Sequence, residues 1–148
     1  MTTREWHEEV TRLLGISLGF DEFCAAWNGV LDPETILPEE LFAQLGARCR
    51  LALLSNTDPL HSAFLERQFP FVRHFPVRVY SCSIPASKPS PAIYRATLER
   101  LGLAPAEAVY IDDIAEYAEA AHRLGMDAIR FENPAQLRVE LVRRQLLT

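Results

Sequence analysis

Four short strand candidates, each followed by a segment with helical periodicity, constrain the fold of this chain more than any other feature. The first, residues 51–54, is an unbroken apolar run, which is typical of a parallel strand that is covered on both faces. Strands that alternate with helices at this spacing predict an α/β fold, a parallel sheet with helices on both faces. The predicted strands are residues 51–54, 77–80, 108–111 and 128–131, and the helices that follow them are residues 59–69, 91–101, 114–124 and 134–143.

Three of the predicted helices begin with the same arrangement, a capping residue followed by proline. The capping side chain accepts a free backbone N–H, and proline at the first helical position has no N–H to leave unpaired. These arrangements fix where the helices start. The three pairs are Asp58-Pro59, Ser90-Pro91 and Asn133-Pro134.

The first third of the chain has helical patterns and no strand candidate. Phe20, Phe23 and Trp27 recur on one helical face, and a core between two helices is favoured over a cofactor site as the interpretation of this stripe. The change of pattern between residues 46 and 50 is the one candidate boundary. We therefore expect a helical part over residues 1–46 and an α/β part over residues 47–148.

Composition excludes several classes of protein. The 148 residues suit one compact domain, and 49% of them are hydrophobic and 24% charged, as in ordinary globular proteins. A net charge of −5 argues against nucleic acid as the partner. No apolar run reaches the roughly 20 residues of a membrane span. Three widely spaced cysteines fit neither a disulfide framework nor a zinc site, so the expected location is the reduced cytoplasm.

Polar residues follow the first two predicted strands, where open parallel sheets bind their ligands. Ser55, Asn56 and Asp58 stand at a helix N-terminus, which attracts anions such as phosphate. The alternative is that Ser55 and Asp58 only cap the helix, and the sequence leaves the two about even. Lys88 stands on a proline-bordered loop and is suited to bind a phosphoryl group. Its alternative is an ordinary solvated lysine, which is favoured for any lysine taken alone.

Two adjacent carboxylates, Asp112 and Asp113, follow the third predicted strand directly. Like charges at close range repel unless something compensates them. Mg²⁺ is a natural compensation, since one or two carboxylates bind it together with water and substrate phosphate. The alternative is an exposed helix cap, over which the metal site is favoured.

The order of these three motifs resembles that of the haloacid dehalogenase-like (HAD) hydrolase superfamily. It is similar to the subgroup with a small helical cap, which includes the phosphatase domain of soluble epoxide hydrolases. The resemblance implies a Rossmann-like α/β core over residues 47–148 and a remnant of the helical cap over residues 1–46. The matching segments are Leu53-Leu54-Ser55-Asn56-Thr57, Ser87-Lys88-Pro89-Ser90-Pro91-Ala92-Ile93-Tyr94 and Tyr110-Ile111-Asp112-Asp113.

The resemblance also implies a role for each site residue. Ser55 would hold the transferring phosphoryl group with the Asn56 backbone beside it, and Lys88 would balance the charge of the phosphate and the nucleophile. Asp113 would bind Mg²⁺, with Asp112 as a further ligand or as a group behind it. The acidic pair favours phosphatase chemistry over dehalogenation, because the dehalogenases of the superfamily lack it. Ser55, Lys88 and Asp113 are thus the expected catalytic residues, and the substrate is a small phosphomonoester.

One family motif has no counterpart in these residues. The first strand of the superfamily carries Asp-x-Asp, whose first carboxylate is the nucleophile, and it lies in the middle of the sheet. We expect that the chain begins inside the cap and is inactive alone, with a sheet that either keeps two unpaired edges or closes up. Two alternatives stay open. In the first, a non-catalytic protein of this fold binds a phosphorylated ligand, or binds a second copy or a partner chain at the exposed edge. In the second, another chain supplies the nucleophile.

Overall fold

A computed structural model describes residues 1–32 and 34–148 of this protein. The described residues form seven α-helices and four β-strands. The helices are α1 (Thr3–Leu14), α2 (Phe20–Asn28), α3 (Glu39–Gly46), α4 (Pro59–Gln68), α5 (Pro91–Leu101), α6 (Ala115–Arg123) and α7 (Pro134–Arg143). The strands are β1 (Ala52–Ser55), β2 (Val77–Tyr80), β3 (Val109–Asp112) and β4 (Asp127–Arg130).

The strand–helix alternation predicted from the sequence is confirmed. Each of the four strands lies within one residue of its predicted position, and the helices after them begin and end within one residue of theirs. The reason is local chemistry, because the side chains of Asp58, Ser90 and Asn133 accept backbone N–H groups at the starts of α4, α5 and α7. Gly102 ends α5 in the left-handed conformation, with φ of 63°.

The four strands do not form one continuous sheet. Strand β1 pairs with β2, and β3 pairs with β4, both in parallel. Within the described residues β1 and β3 form no ladder with each other, so the strands form two two-stranded parallel sheets. Of the two outcomes expected without a strand between them, unpaired edges are observed and a closed sheet is not.

The two two-stranded sheets, which we call the half-sheets, nevertheless lie side by side, with their strands running in the same direction. Leu51, just before β1, and Val109, at the start of β3, belong to one apolar cluster. At the other end, Ser55 and Asp112, the last residues of β1 and β3, line one cleft. The carboxyl ends of the strands therefore meet at one edge, as in an ordinary open parallel sheet.

Apolar side chains pack against both faces of the strands. Successive residues of a strand point to opposite faces, and Tyr110 and Ala128 pack with α5 and α6 while Val109 and Ile129 pack with α3 and α7. Helices therefore cover both faces, as predicted. Helix α3 packs against α7 and β4, so it belongs to the helical layer that covers the same face of the strands as α7.

Helices α1 and α2 pack against α4. Val10, Phe23 and Leu60 form a buried cluster, and Trp27 lies against it, so the aromatic stripe is a helix core, as the sequence favours. The side chain of Trp27 also donates a hydrogen bond of 3.0 Å to the Asp58 carboxylate. In the described part of the chain, no helix has the length and apolarity to cross a membrane.

Candidate functional site

A cleft of about 650 Å³ opens at the carboxyl ends of β1 and β3, and we call it the strand cleft. The structure brings every predicted site residue to it, although they come from three separate segments of the chain. The roles assigned to these residues stay predictions. The five residues are Ser55, Asn56, Lys88, Asp112 and Asp113.

Ser55 reaches the strand cleft because it ends β1 just before the start of α4. Asp58, three residues later, is the helix cap: its carboxylate accepts the N–H groups of Leu60 and His61 at 2.8 and 2.9 Å. Asp58 therefore caps α4, as the alternative interpretation of the sequence expected for this residue. The Ser55 hydroxyl makes no hydrogen bond to the residues described, so it is available to a ligand.

Asn56 holds the lysine loop in place through two backbone hydrogen bonds. Its side-chain carbonyl accepts the Lys88 N–H at 2.7 Å, and its amide donates to the Lys88 carbonyl at 2.9 Å. The sequence pointed to the backbone of Asn56, and this clamp by its side chain was missed. No spacing signal could have revealed it, since the two residues are 32 positions apart.

Lys88 is an ion-paired group on the wall of the cleft. Its side chain is 10% exposed, and its ammonium lies 2.7 Å from Asp112 Oδ2, so the interpretation of a solvated surface lysine is wrong. The ammonium also lies 4.8 Å from the centre of the Tyr117 ring, which is a favourable cation–π distance. Tyr117 was missed in the sequence, because only the fold brings α6 to the lysine loop.

Asp112 is the buried member of the acidic pair, with a side chain only 7% exposed. Its carboxylate accepts hydrogen bonds from Lys88, from the Tyr110 hydroxyl at 2.5 Å and from the Ile114 N–H at 3.0 Å. Burial works to raise the pKa of Asp112, but these hydrogen bonds outweigh it and hold the pKa below its ordinary value. Burial and the Asp112 carboxylate together raise the pKa of Tyr110 well above the usual range.

Asp113 is exposed and makes no hydrogen bond to the described residues. The two carboxylates therefore differ. Asp112 accepts hydrogen bonds from protein donors, and Asp113 faces the cleft. In the described part of the chain no three His, Cys, Asp or Glu side chains gather as a metal site. Mg²⁺ needs only one or two carboxylates beside water and phosphate oxygens, and a free Asp113 with Asp112 beside it fits that donor set.

Most of the rest of the strand cleft is apolar. Its walls come from the segment before α3, from α3 itself, from the turn after α4, and from residues in or next to β3 and β4. An apolar wall excludes water and strengthens the electrostatic interactions of the charged end. The main apolar residues are Ile36, Leu37, Phe42, Phe71, Ile111 and Phe131.

Fold and cleft together define an α/β protein whose polar site lies at the carboxyl ends of parallel strands. Residues 8–125 match the family model described as haloacid dehalogenase-like hydrolase. The chain therefore belongs to the haloacid dehalogenase-like hydrolases, in agreement with the resemblance seen in the sequence.

Three curated relatives are similar over different lengths. Acyl-CoA dehydrogenase family member 10 of Mus musculus is 29% identical over 90% of this chain and 13% of the relative. The phosphorylated carbohydrates phosphatase of Thermotoga maritima is 32% identical over 55% of this chain and 38% of the relative. Bifunctional epoxide hydrolase 2 of Sus scrofa is 36% identical over 38% of this chain and 10% of the relative. The chain thus spans less than two fifths of each relative's length.

A solved structure is similar over most of this chain. The wild-type HAD family enzyme of Bacteroides thetaiotaomicron, in complex with magnesium and inorganic phosphate, matches with a TM-score of 0.81 and 26% identity. The match covers 93% of this chain and 74% of that one. The family model places this chain among the haloacid dehalogenase-like hydrolases, and one of the three curated relatives is named as a phosphatase.

Proposed function

We propose that this chain carries the phosphate-binding and Mg²⁺-binding part of a phosphatase that acts on a small phosphomonoester. The observation that carries the proposal is the convergence of Ser55, Lys88 and Asp113 on one cleft. A hydroxyl, an ammonium and a carboxylate for a divalent cation are groups that bind a phosphoryl group and balance its charge. The three free cysteines support a cytoplasmic location.

Each residue has a distinct task in this proposal. The Ser55 hydroxyl and the Asn56 backbone bind phosphate oxygens in the strand cleft. Lys88 contributes positive charge, and Asn56 fixes its loop. Asp113 binds Mg²⁺, which neutralises phosphate charge when it is present, and Asp112 keeps Lys88 in position.

These 148 residues alone are proposed not to turn over a phosphomonoester by way of an aspartyl-phosphate. They contain no Asp-x-Asp, and the carboxylates in the cleft have other tasks in this proposal, Asp113 as the Mg²⁺ ligand and Asp112 as the partner of Lys88, so the nucleophile of that route is missing. The remaining groups still suffice to bind the anion.

Calorimetry with inorganic phosphate, with and without Mg²⁺, tests binding. We expect Mg²⁺-dependent binding that weakens about tenfold or more in Lys88→Ala. Arg95→Ala on α5, which removes a cation at an exposed position away from the cleft, is the control and should bind as the parent does. Equal phosphate affinity in the parent and Lys88→Ala would refute the proposed site. Separately, Mg²⁺-dependent hydrolysis of p-nitrophenyl phosphate that is lost in Lys88→Ala would refute the proposed inactivity.

A second candidate function is the binding of a partner segment between the half-sheets. It is favoured by the absence of a β1–β3 ladder in the described residues, because unpaired strand edges are templates for another strand. Ile111 in β3 and Ile114 just after it are 36% and 45% exposed. An apolar strand donated by a second copy or by a partner chain would cover them.

Light scattering after size exclusion tests this candidate. We expect a dimer that Ile111→Lys converts to monomer, because a charge in the gap opposes strand insertion. Val139→Lys, on the exposed face of α7, is the matched control and should leave the dimer intact. A parent protein that stays monomeric at high concentration would contradict the dimeric form of the candidate.

A further inference from the structure

The strand cleft is larger than the phosphate that it is proposed to bind. Its volume of about 650 Å³ lies in the range of sites that enclose a small organic molecule, and a phosphate group fills a minor part of it. The phosphate-binding and metal-binding groups come from the end of β1, the lysine loop and the residue after β3. The rest of the cavity therefore has room for the organic group of a phosphomonoester, which is bonded to the phosphate and must lie next to it.

Three isoleucines on the wall of this cleft are exposed to solvent. Ile36, just before α3, is 76% exposed, and Ile111 and Ile114 beside the acidic pair are exposed as well. Single apolar side chains at a protein surface are ordinary, but a set of them that lines one cavity and is bordered by polar residues is typical of a ligand-binding groove. Four partly buried apolar residues line the same cavity: Leu37, Phe42, Phe71 and Phe131.

The remaining polar groups on this wall neither exclude an apolar ligand nor require a polar one. The Thr35 hydroxyl donates to the Leu37 carbonyl at 2.9 Å. The Tyr117 hydroxyl accepts from the Asn56 amide at 3.4 Å. Each can form one further hydrogen bond, as can the unpaired edges of β1 and β3, and at exposed positions water can satisfy them. The exposed isoleucines, by contrast, gain only from a partner that removes their apolar surface from water.

Charge and apolarity together describe one occupant. An anionic group matches the Lys88 ammonium and the Mg²⁺ proposed at Asp113, and an apolar group matches the three isoleucines. We propose that the organic group of the phosphomonoester lies against these isoleucines and that it is compact and apolar, such as an aryl or a branched alkyl group. The inference rests on the proposed function, because it takes the phosphate to lie in the strand cleft.

Ile36 is the specificity-determining residue of this arrangement. Ile111 and Ile114 flank Asp112 and Asp113 in the chain, so a change at either can also disturb phosphate and Mg²⁺ binding. Ile36 stands on a different segment from every group proposed to bind phosphate. Because its side chain is mostly exposed, a polar residue of similar size in its place should leave the fold unchanged. Ile36→Asn therefore separates contact with the organic group from binding of the phosphate.

Calorimetry in Mg²⁺ with three probes tests the inference: inorganic phosphate, phenyl phosphate and glycerol 3-phosphate, a polar ester of similar size. We expect phenyl phosphate to bind about tenfold more tightly than either of the other two. Ile36→Asn should weaken phenyl phosphate binding by about three- to fivefold and leave the affinity for inorganic phosphate unchanged. Val30→Asn, at an aliphatic residue that is 75% exposed and lies outside the cleft, is the matched control and should change none of the three affinities.

If phenyl phosphate binds no more tightly than inorganic phosphate or than glycerol 3-phosphate, the inference fails while the proposed function stands. If Ile36→Asn and Val30→Asn change phenyl phosphate binding equally, Ile36 does not contact the organic group and the inference fails as well. A strand donated by a second copy would cover the same isoleucines, and a stable dimer with no preference for phenyl phosphate would identify that strand as the occupant instead. If inorganic phosphate does not bind, both the inference and the proposed function fail.

Discussion

The Lys88 ammonium lies 2.7 Å from the Asp112 carboxylate, and both side chains are at least nine-tenths buried. The pair joins the loop before α5 to the end of β3, on opposite sides of the gap between the half-sheets. Buried ion pairs contribute little net stability, but removal of one partner leaves an uncompensated charge. Position, more than stability, is what this pair provides, because it sets where Lys88 and Asp113 stand in the strand cleft.

Asp112→Asn should therefore destabilise the protein more than Lys88→Met does. Asp112→Asn leaves the Lys88 ammonium buried without a counter-charge, at a cost of about 3 kcal/mol. Lys88→Met leaves a carboxylate that still accepts from Tyr110 and Ile114, so the loss should be about 1–2 kcal/mol. Urea unfolding monitored by circular dichroism measures both.

The double variant Lys88→Met with Asp112→Asn is the control for this comparison. It removes both charges together, so its free energy of unfolding should exceed that of Asp112→Asn alone. Additive losses in the double variant would show that the two side chains do not interact in solution.

The same network predicts how stability depends on pH. The pKa of Asp112 is lower in the folded protein than its ordinary value. The ionised carboxylate therefore makes its full contribution to stability above the ordinary pKa, about 3.9, and this contribution is lost as pH falls through the pKa of the folded protein. Stability should therefore fall with pH below about 4, and Asp112→Asn should show a shallower fall there. Urea unfolding over a series of acidic pH values measures the slopes, and parallel profiles would contradict the assignment.

The sequence predicted the elements and the site residues for different physical reasons. Helix starts at Asp58, Ser90 and Asn133 follow from capping, which is local. The gathering of Ser55, Lys88 and the acidic pair follows from the rule that parallel strands present their carboxyl ends at one edge.

What the sequence did not predict depends on contacts between distant segments. Asp112 and Asp113 are neighbours that the sequence does not distinguish, yet the Asp112 side chain is buried and Asp113 is exposed. That difference arises because Tyr110 and Lys88 surround only one of them. The clamp by Asn56 and the position of Tyr117 depend in the same way on how the loops meet. The split of the sheet was one of two expected outcomes, and local pattern gave no means to choose between them.

Asp58→Ala should disturb the packing of the N-terminal helices against α4. The Asp58 side chain caps α4 and also accepts the Trp27 indole N–H at 3.0 Å, so its removal should lower the free energy of unfolding by about 2–3 kcal/mol. Ser90→Ala, which removes the single side-chain cap bond of α5, is the matched control. It should lower the free energy of unfolding by about 0.5–1 kcal/mol. Equal losses would show that the bond to Trp27 contributes nothing.

Hydrogen exchange should reveal the unpaired edges of β1 and β3. Alternate N–H groups of a strand point to opposite neighbours, and each of these strands has a partner on one side only. We expect alternate amides within residues 52–55 and 109–112 to exchange quickly and the others slowly. Amide exchange followed by NMR resolves the two sets, and full protection of both strands would mean that the gap is closed in solution.

Mg²⁺ binding should depend on Asp113 and leave the fold unaffected. Asp113 is exposed and has no hydrogen bond to the described residues, so Asp113→Asn should not change the free energy of unfolding measurably. It should weaken Mg²⁺ binding about tenfold or more, measured by calorimetry with Mg²⁺ and inorganic phosphate, because a neutral amide is a poor ligand for a hard cation. Glu116→Gln, an exposed carboxylate in the first turn of α6, removes the same charge nearby and should keep the affinity. If both variants weaken binding equally, general charge and not coordination by Asp113 holds the ion. If neither does, the metal lies elsewhere.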